Sequence, residues 1–176
     1  MTYEAARAPA HGDAFAWRVS VAHIDISGPF SDFAGYHRKM VLLEGNGLEL
    51  EFADGGVRRL ARVGDLAEFD GAPAPGCTLL GGPCVDLNLM VAKAHSAEIG
   101  IEWLAGQETI SADATSNETT LIFSINDALA LTIDAQIFSL EPGDLAVITS
   151  GSADVTPLES RAAANASAVF FATISH

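Results

Sequence analysis

Apolar and polar residues alternate with a period of two along much of this chain, and no long stretch carries the helical period. From Phe15 to Ile26, Phe15, Trp17, Val19 and Val21 fall on one face and Arg18, Ser20 and Ala22 on the other. That period is the signature of a strand with one buried side. Met40–Leu43 and Leu48–Phe52 predict two more strands. Between them Glu44-Gly45-Asn46-Gly47 contains Asn-Gly, a strong short-range hairpin signal. Asp54-Gly55-Gly56 marks another turn and Leu66–Phe69 a short strand. Gly71 to Gly76, with two prolines and two glycines, predicts a loop. Asp86–Val91 is a further strand. Only residues 157–166 suggest a helix, and a short one.

The second half echoes the first. Gly64-Asp65-Leu66-Ala67 returns as Gly143-Asp144-Leu145-Ala146, 79 residues later. Leu48-x-Leu50 returns as Leu129-x-Leu131 at an offset of 81. At similar offsets Met40–Leu43 falls on Leu121–Ser124, and Leu87–Val91 falls close to Val169–Thr173. An offset held near 80 over four strands points to an internal duplication. Two similar all-β halves with short strands and Gly/Pro turns fit sandwiches or small barrels.

Composition narrows the functional classes. The chain has 176 residues, 49% of them hydrophobic and 18% charged, as in a folded globule. Its apolar runs, such as Ala168–Ala172, are too short to span a membrane, and no signal peptide is visible, so a cytoplasmic location is the default. The net charge of −14 argues against nucleic acid and anionic membrane surfaces as partners. Residues 1–93 hold 12 acids and 8 bases, whereas residues 94–176 hold 11 acids and a single base, Arg161. Arginines able to hold an anion therefore lie almost entirely in the first half. Cys77 and Cys84 match no common zinc spacing and read as small core residues.

Chemistry concentrates in Gly28-Pro29-Phe30-Ser31-Asp32-Phe33-Ala34-Gly35-Tyr36-His37-Arg38. Gly-Pro sets a turn, Phe30 and Phe33 can pin it to a core, and Ser31, Asp32, His37 and Arg38 supply polar groups next to a strand. Asp86 and Asn88 share one strand face while Leu87 and Leu89 take the other. In a barrel one of those faces is the lumen, where polar groups are costly unless paired or used. Asp86 could simply tie down backbone or pair with an arginine. Arg38, whose fork suits a carboxylate, could equally be spent on Asp86 or Asp70. Asp70, followed by Gly71, fits a turn acceptor as well as a pocket wall.

Taken in order, Trp17-Arg18-Val19-Ser20, Gly28-Pro29-Phe30-Ser31 with Phe33, Gly35 and Arg38, Phe69-Asp70-Gly71, and Gly82-Pro83 with Asp86, Asn88 and Met90 resemble the HutD/Ves family. Members of that family accompany bacterial histidine-utilisation genes. The resemblance runs from about Thr2 to Val91. The family's Trp…Asn-Gly-Gly segment precedes a Thr-x-Glu that Thr2-Tyr3-Glu4 matches, and the sequence begins at that match. The resemblance implies a bicupin: two cupin or jelly-roll-like barrel halves, residues 1–93 with the ligand pocket and residues 94–176, in one compact unit. It also implies a role in histidine catabolism, as a regulator or sensor that binds a small anionic metabolite such as formylglutamate or urocanate. The expected ligand-binding residues are Arg18, Ser20, Ser31, Arg38, Asp70, Asp86 and Asn88. Cupins often hold a metal on His-x-His with a later Glu and His. His11, His23, His37, His95 and His176 include no such pair, so no metal and no cofactor is expected. The alternatives are a metal-independent isomerase or hydrolase with Asp86 as base, and an interaction module whose pocket is filled by side chains. Exposed β edges are compatible with a homodimer.

Overall fold

In the computed structural model of the chain, residues 1–158 and 166–176 are described. They are built from β-strands and turns, and they divide into two compact units, Met1–His95 and Ser96–His176. The short helix expected at 157–166 falls mostly outside the described residues. Pro157 is the last residue of a strand.

The first unit contains β1 (Thr2–Ala8), β2 (Trp17–Ile24), β3 (Gly28–Pro29), β4 (Tyr36–Glu44), β5 (Leu48–Glu51), β6 (Val57–Leu60), β7 (Leu66–Asp70), β8 (Gly76–Leu79) and β9 (Cys84–Ala92). They form two antiparallel sheets, ordered β1-β2-β9-β4-β7 and β3-β8-β5-β6. Met40, Leu42, Ala67 and Cys84 of the first sheet pack with Leu48, Leu50, Leu60 and Cys77 of the second. That shared core is the inside of a jelly-roll barrel. The loop expected at 71–76 gives up its last residue, because Gly76 opens β8 and pairs with Pro29 and Glu51.

The second unit contains β10 (Ser96–Leu104), β11 (Ile110–Ala114), β12 (Glu118–Ser124), β13 (Leu129–Ile133), β14 (Gln136–Leu140), β15 (Leu145–Ile148), β16 (Gly151–Pro157) and β17 (Ser167–Ser175). Its sheets are ordered β10-β17-β12-β15 and β11-β16-β13-β14. Setting β1 aside, these orders match the first unit strand for strand, with β10 standing for β2 and β17 for β9. The fold is all-β and bicupin in topology.

The Gly-Asp echo in the sequence is the same turn in both units. Gly64 and Gly143 both take positive φ, at 89° and 93°. Their amides donate to Leu42 O and Ser124 O, each at 2.8 Å. Asp65 Oδ2 accepts the Ala61 and Arg62 amides at 2.7 and 3.0 Å, and Asp144 Oδ2 accepts the Glu141 amide at 2.9 Å. Glycine supplies the left-handed backbone, and the carboxylate satisfies amides that the turn would leave open.

Candidate functional site

Strand register assembles the site. Arg18 on β2, Met90 on β9, Arg38 on β4 and Phe69 on β7 lie in one cross-strand row. Ser20, Asn88, Met40 and Ala67 form the next row, and Ala22, Asp86 and Leu42 the third. Alternation turns all three rows toward the barrel interior. The loop from Phe30 to Gly35 then lays two phenylalanines over the open end of the first row.

The Arg38 guanidinium sits 5.1 Å from the Phe30 ring centre, 5.1 Å from Phe69 and 5.8 Å from Phe33. The Arg18 guanidinium is 4.9 Å from Phe33 and 5.0 Å from Phe15. Phe33 is thus shared by both cations. Such faces attract guanidinium groups without consuming their N–H donors. Phe15 is itself stacked on Tyr36 at 4.2 Å.

Arg38 is only 3% exposed. Its Nη2 donates to Asn88 Oδ1 at 2.7 Å, while Nε and Nη1 have no partner among the described residues. Arg18 Nη2 reaches Met90 Sδ at 3.3 Å, and its Nε is likewise without a partner. Burial lowers the Arg38 pKa to about 10, Asp86 raising it and Arg18 lowering it further, so the group stays charged at neutral pH. A buried cation whose donors have no protein partner is costly, and an anion would satisfy both deficits.

A cavity of about 640 Å³ opens on these groups. Arg18, Ser20, Ser31, Arg38 and Asn88 line it, together with Phe30, Phe33, Met90 and Cys77. Five of the seven expected residues therefore converge. Asp86 does not line the cavity. It is fully buried, and its Oδ2 accepts a hydrogen bond from Asn88 Nδ2. Burial pushes its carboxyl up to about 7, against the pull of Asn88 and of the Arg38 charge. That pKa would suit a general base, but the position does not, because Asn88 stands between the carboxyl and Arg38.

Asp70 is not brought to the cavity either. It is half exposed and contacts His37 Nδ1 at 2.9 Å and Lys93 Nζ at 3.2 Å. The hydrogen bond from Lys93, with smaller help from His37, holds its carboxyl below the usual range. Gly71, next in the chain, donates its amide to Tyr36 O at 2.8 Å, and its carbonyl takes the Phe33 amide at 2.6 Å. Gly71 is therefore a brace for the aromatic loop, while Phe69 presents its ring to Arg38 and Asp70 stays with His37 and Lys93. Asp32 is another brace, its Oδ1 accepting the Ala74 amide at 2.7 Å.

Phe69, Phe15 and Cys77 were named in the sequence but not among the expected ligand-binding residues. Phe69 had a usable signal, since it alternates with Ala67 on a strand. Cys77 had none, because β8 is recognisable only by its partners. Both cysteines are buried free thiols. Among the described residues no three His, Cys, Asp or Glu side chains are grouped to hold a metal ion, and no helix is long and apolar enough to cross a membrane.

The second unit is different inside. Its strand pairings put Thr120, Phe171 and Val169 where the first unit has Arg38, Asn88 and Asp86. Thr120 spends its hydroxyl on Asp113 O at 2.6 Å. Val169 and Phe171 join an apolar core with Ile122, Leu129, Leu131 and Val155. Among the described residues the arginines lie in the first unit, and the matching cavity of the second, about 390 Å³, is lined by Glu98, Glu102, Asp113 and Thr120 instead.

These features define a bicupin with a cationic, aromatic-walled cavity in its first barrel. The family model described as HutD matches residues 1–168, and the chain belongs to the HutD family. A Pseudomonas putida protein described as an uncharacterized 21.2 kDa protein in the hutC 3′ region is 37% identical over 112 residues. The match covers 64% of this chain, and the chain spans 56% of the length of that curated relative. The family is thereby linked to histidine-utilisation genes. A conserved protein of unknown function from Pseudomonas aeruginosa has a crystal structure similar to this one, with 30% identity and a TM-score of 0.84 over 99% of this chain and 89% of that one. HutD from Pseudomonas fluorescens gives 26% identity and a TM-score of 0.75 over 99% and 88% of the two chains. A cupin 2 conserved barrel domain protein from Leptotrichia buccalis, 12% identical, shares the fold with a TM-score of 0.60 over 99% of this chain and 88% of that one.

Proposed function

We propose that the first unit is a metal-independent receptor for a small carboxylate, acting in the cytoplasm as a sensor or regulator of histidine catabolism. The observation that carries this is the state of Arg38. It is a buried cation whose Nε and Nη1 donors are unspent, in a cavity that also presents Arg18. Two carboxylate oxygens match those donors in geometry and charge. The cavity's volume of about 640 Å³ is in the range of small-metabolite sites. Formylglutamate and urocanate are the pathway acids that fit by charge. The open volume counts against an interaction module with a filled pocket. The withdrawn position of Asp86 counts against an enzyme that uses it as a base.

The test is a thermal-shift titration with formylglutamate, urocanate and formate. Ligand at a hundred times its dissociation constant adds about 2.7 kcal/mol, a rise of a few degrees at this size. The rise is expected with at least one of these acids and is absent in Arg38→Ala. No rise with any of them, or one that survives in Arg38→Ala, overturns the proposal.

A further inference from the structure

Asp86 has no contact with the cavity, yet it is wired to the residue that holds Arg38. Its Oδ2 accepts from Asn88 Nδ2, and its Oδ1 has no partner among the described residues. The Asn88 amide is a bridge, taking Arg38 on its oxygen and Asp86 on its nitrogen. An arginine and an aspartate this close would ordinarily pair directly and spend their groups on each other. The inserted amide keeps them apart, so Arg38 retains free donors while still sensing the Asp86 charge.

We infer that Asp86 sets the charge of the ligand accepted by the cavity: ionised, it leaves the Arg18–Arg38–Asp86 group with one net positive charge, suited to a monoanion, and a dianion is bound with uptake of one solvent proton onto the Asp86 carboxylate. This rests on the carboxylate-receptor function proposed above.

Asp86 is placed to respond. The groups that face it are few. Arg38 on β4 acts on it directly, with Arg18 on β2 acting on Arg38 in turn. Cys77 on β8 feels Asp86 and Cys84, and burial first of all pushes its thiol to about 11, so it stays neutral. Burial already holds the Asp86 carboxyl near 7. A ligand carboxylate on Arg38 cancels the attraction of that guanidinium and adds repulsion, which drives Asp86 higher. Between the empty and occupied values, the complex carries a proton that the free protein lacks. Affinity therefore falls as pH rises through that window, and it levels off below the empty-site value.

Calorimetric titration with formylglutamate, whose two carboxyls stay ionised between about pH 6 and about pH 9, tests this in buffers of different ionisation heat. Uptake should approach one proton per site near about pH 8, with affinity falling about tenfold per pH unit above about 7. Formate, a monoanion, should show smaller uptake. Asp86→Asn, which keeps the side-chain shape and an acceptor for Asn88, should bind formylglutamate without uptake and with a flat profile. Binding without proton uptake in the wild type, or an unchanged profile in Asp86→Asn, overturns the inference and leaves the carboxylate receptor standing. No binding of either acid at any pH overturns both. The wild-type proton count is decisive even if the variant fails to fold.

Discussion

Arg38 and Asn88 meet across a diagonal of the β4–β9 ladder, where Nη2 donates to Oδ1 at 2.7 Å. That contact holds the guanidinium off Asp86 and over the aromatic rings. In Asn88→Ala the bridge is gone, and Arg38 can close directly on Asp86. An ion pair of that kind occupies the donors that a ligand needs. Formylglutamate affinity is expected to drop at least about tenfold, equivalent to about 1.4 kcal/mol. Wild-type affinity in this variant would show that Asn88 does not govern Arg38.

Asp86 also shapes how stability depends on pH. Its folded pKa is raised to about 7, above the ordinary value of 3.8, chiefly by burial. Between those values the folded state keeps a proton that the unfolded chain has lost. Stability from this group is therefore present at low pH, declines as pH rises, and reaches its minimum above the folded value. Asp86→Asn removes that decline. Urea unfolding should find the variant more stable than wild type at about pH 8, by on the order of a few kcal/mol, with the gap closing toward about pH 4. A gap that is constant with pH would contradict the assigned burial of the charge.

Much of the first barrel was legible because its central strands alternate cleanly. Trp17 and Val19 are buried on one face of β2, where local pattern and tertiary pairing agree, while Asp86–Val91 is buried on both faces. The repeat was legible for a similar reason, since the Gly64-Asp65 turn needs both a left-handed glycine and an amide acceptor. β1 and β6 were not legible. Thr2–Ala8 is poor in β-branched residues and is a strand only through its pairing with β2. Val57–Leu60 carries two exposed arginines at a sheet edge. In the site, alternation could say that Asp86 and Asn88 share a face but not how far each lies from the mouth. Depth is a property of the closed barrel. It separates Asn88, which lines the cavity, from Asp86, which does not, and leaves Asp70 braced outside.

Gly71 is where the brace and the cavity are coupled. A Cβ there would collide with the Phe33 carbonyl and come within 3.0 Å of Tyr36 O. Both are backbone atoms, so neither can swing aside as a side chain would. Gly71→Ala should displace the loop that carries Phe30 and Phe33 and loosen the rings over both arginines. The expected outcome is a destabilisation of about 1–3 kcal/mol together with weaker formylglutamate binding. Asp70→Asn, one residue away and outside the cavity, should leave binding unchanged. Equal effects of the two substitutions on affinity would contradict this division of roles.

The second barrel has the same scaffold without the two cavity arginines, with Thr120 at the position of Arg38 and Glu98 at that of Arg18. Ile122 pairs with Phe171 and Ala146, as Met40 pairs with Asn88 and Ala67. Met40 lies in the apolar core of the first unit with Leu42, Leu48 and Leu50, and Ile122 lies in that of the second with Leu129, Leu131, Val155 and Val169. Ile122 is fully buried, so truncation leaves a void that close-packed neighbours fill only partly. Ile122→Ala should therefore cost about 2–5 kcal/mol of stability. Calorimetry below the transition should meanwhile return the wild-type affinity for formylglutamate, because every residue assigned to the site lies in the first unit. A loss of affinity matching the loss of stability would mean that the second barrel takes part in recognition.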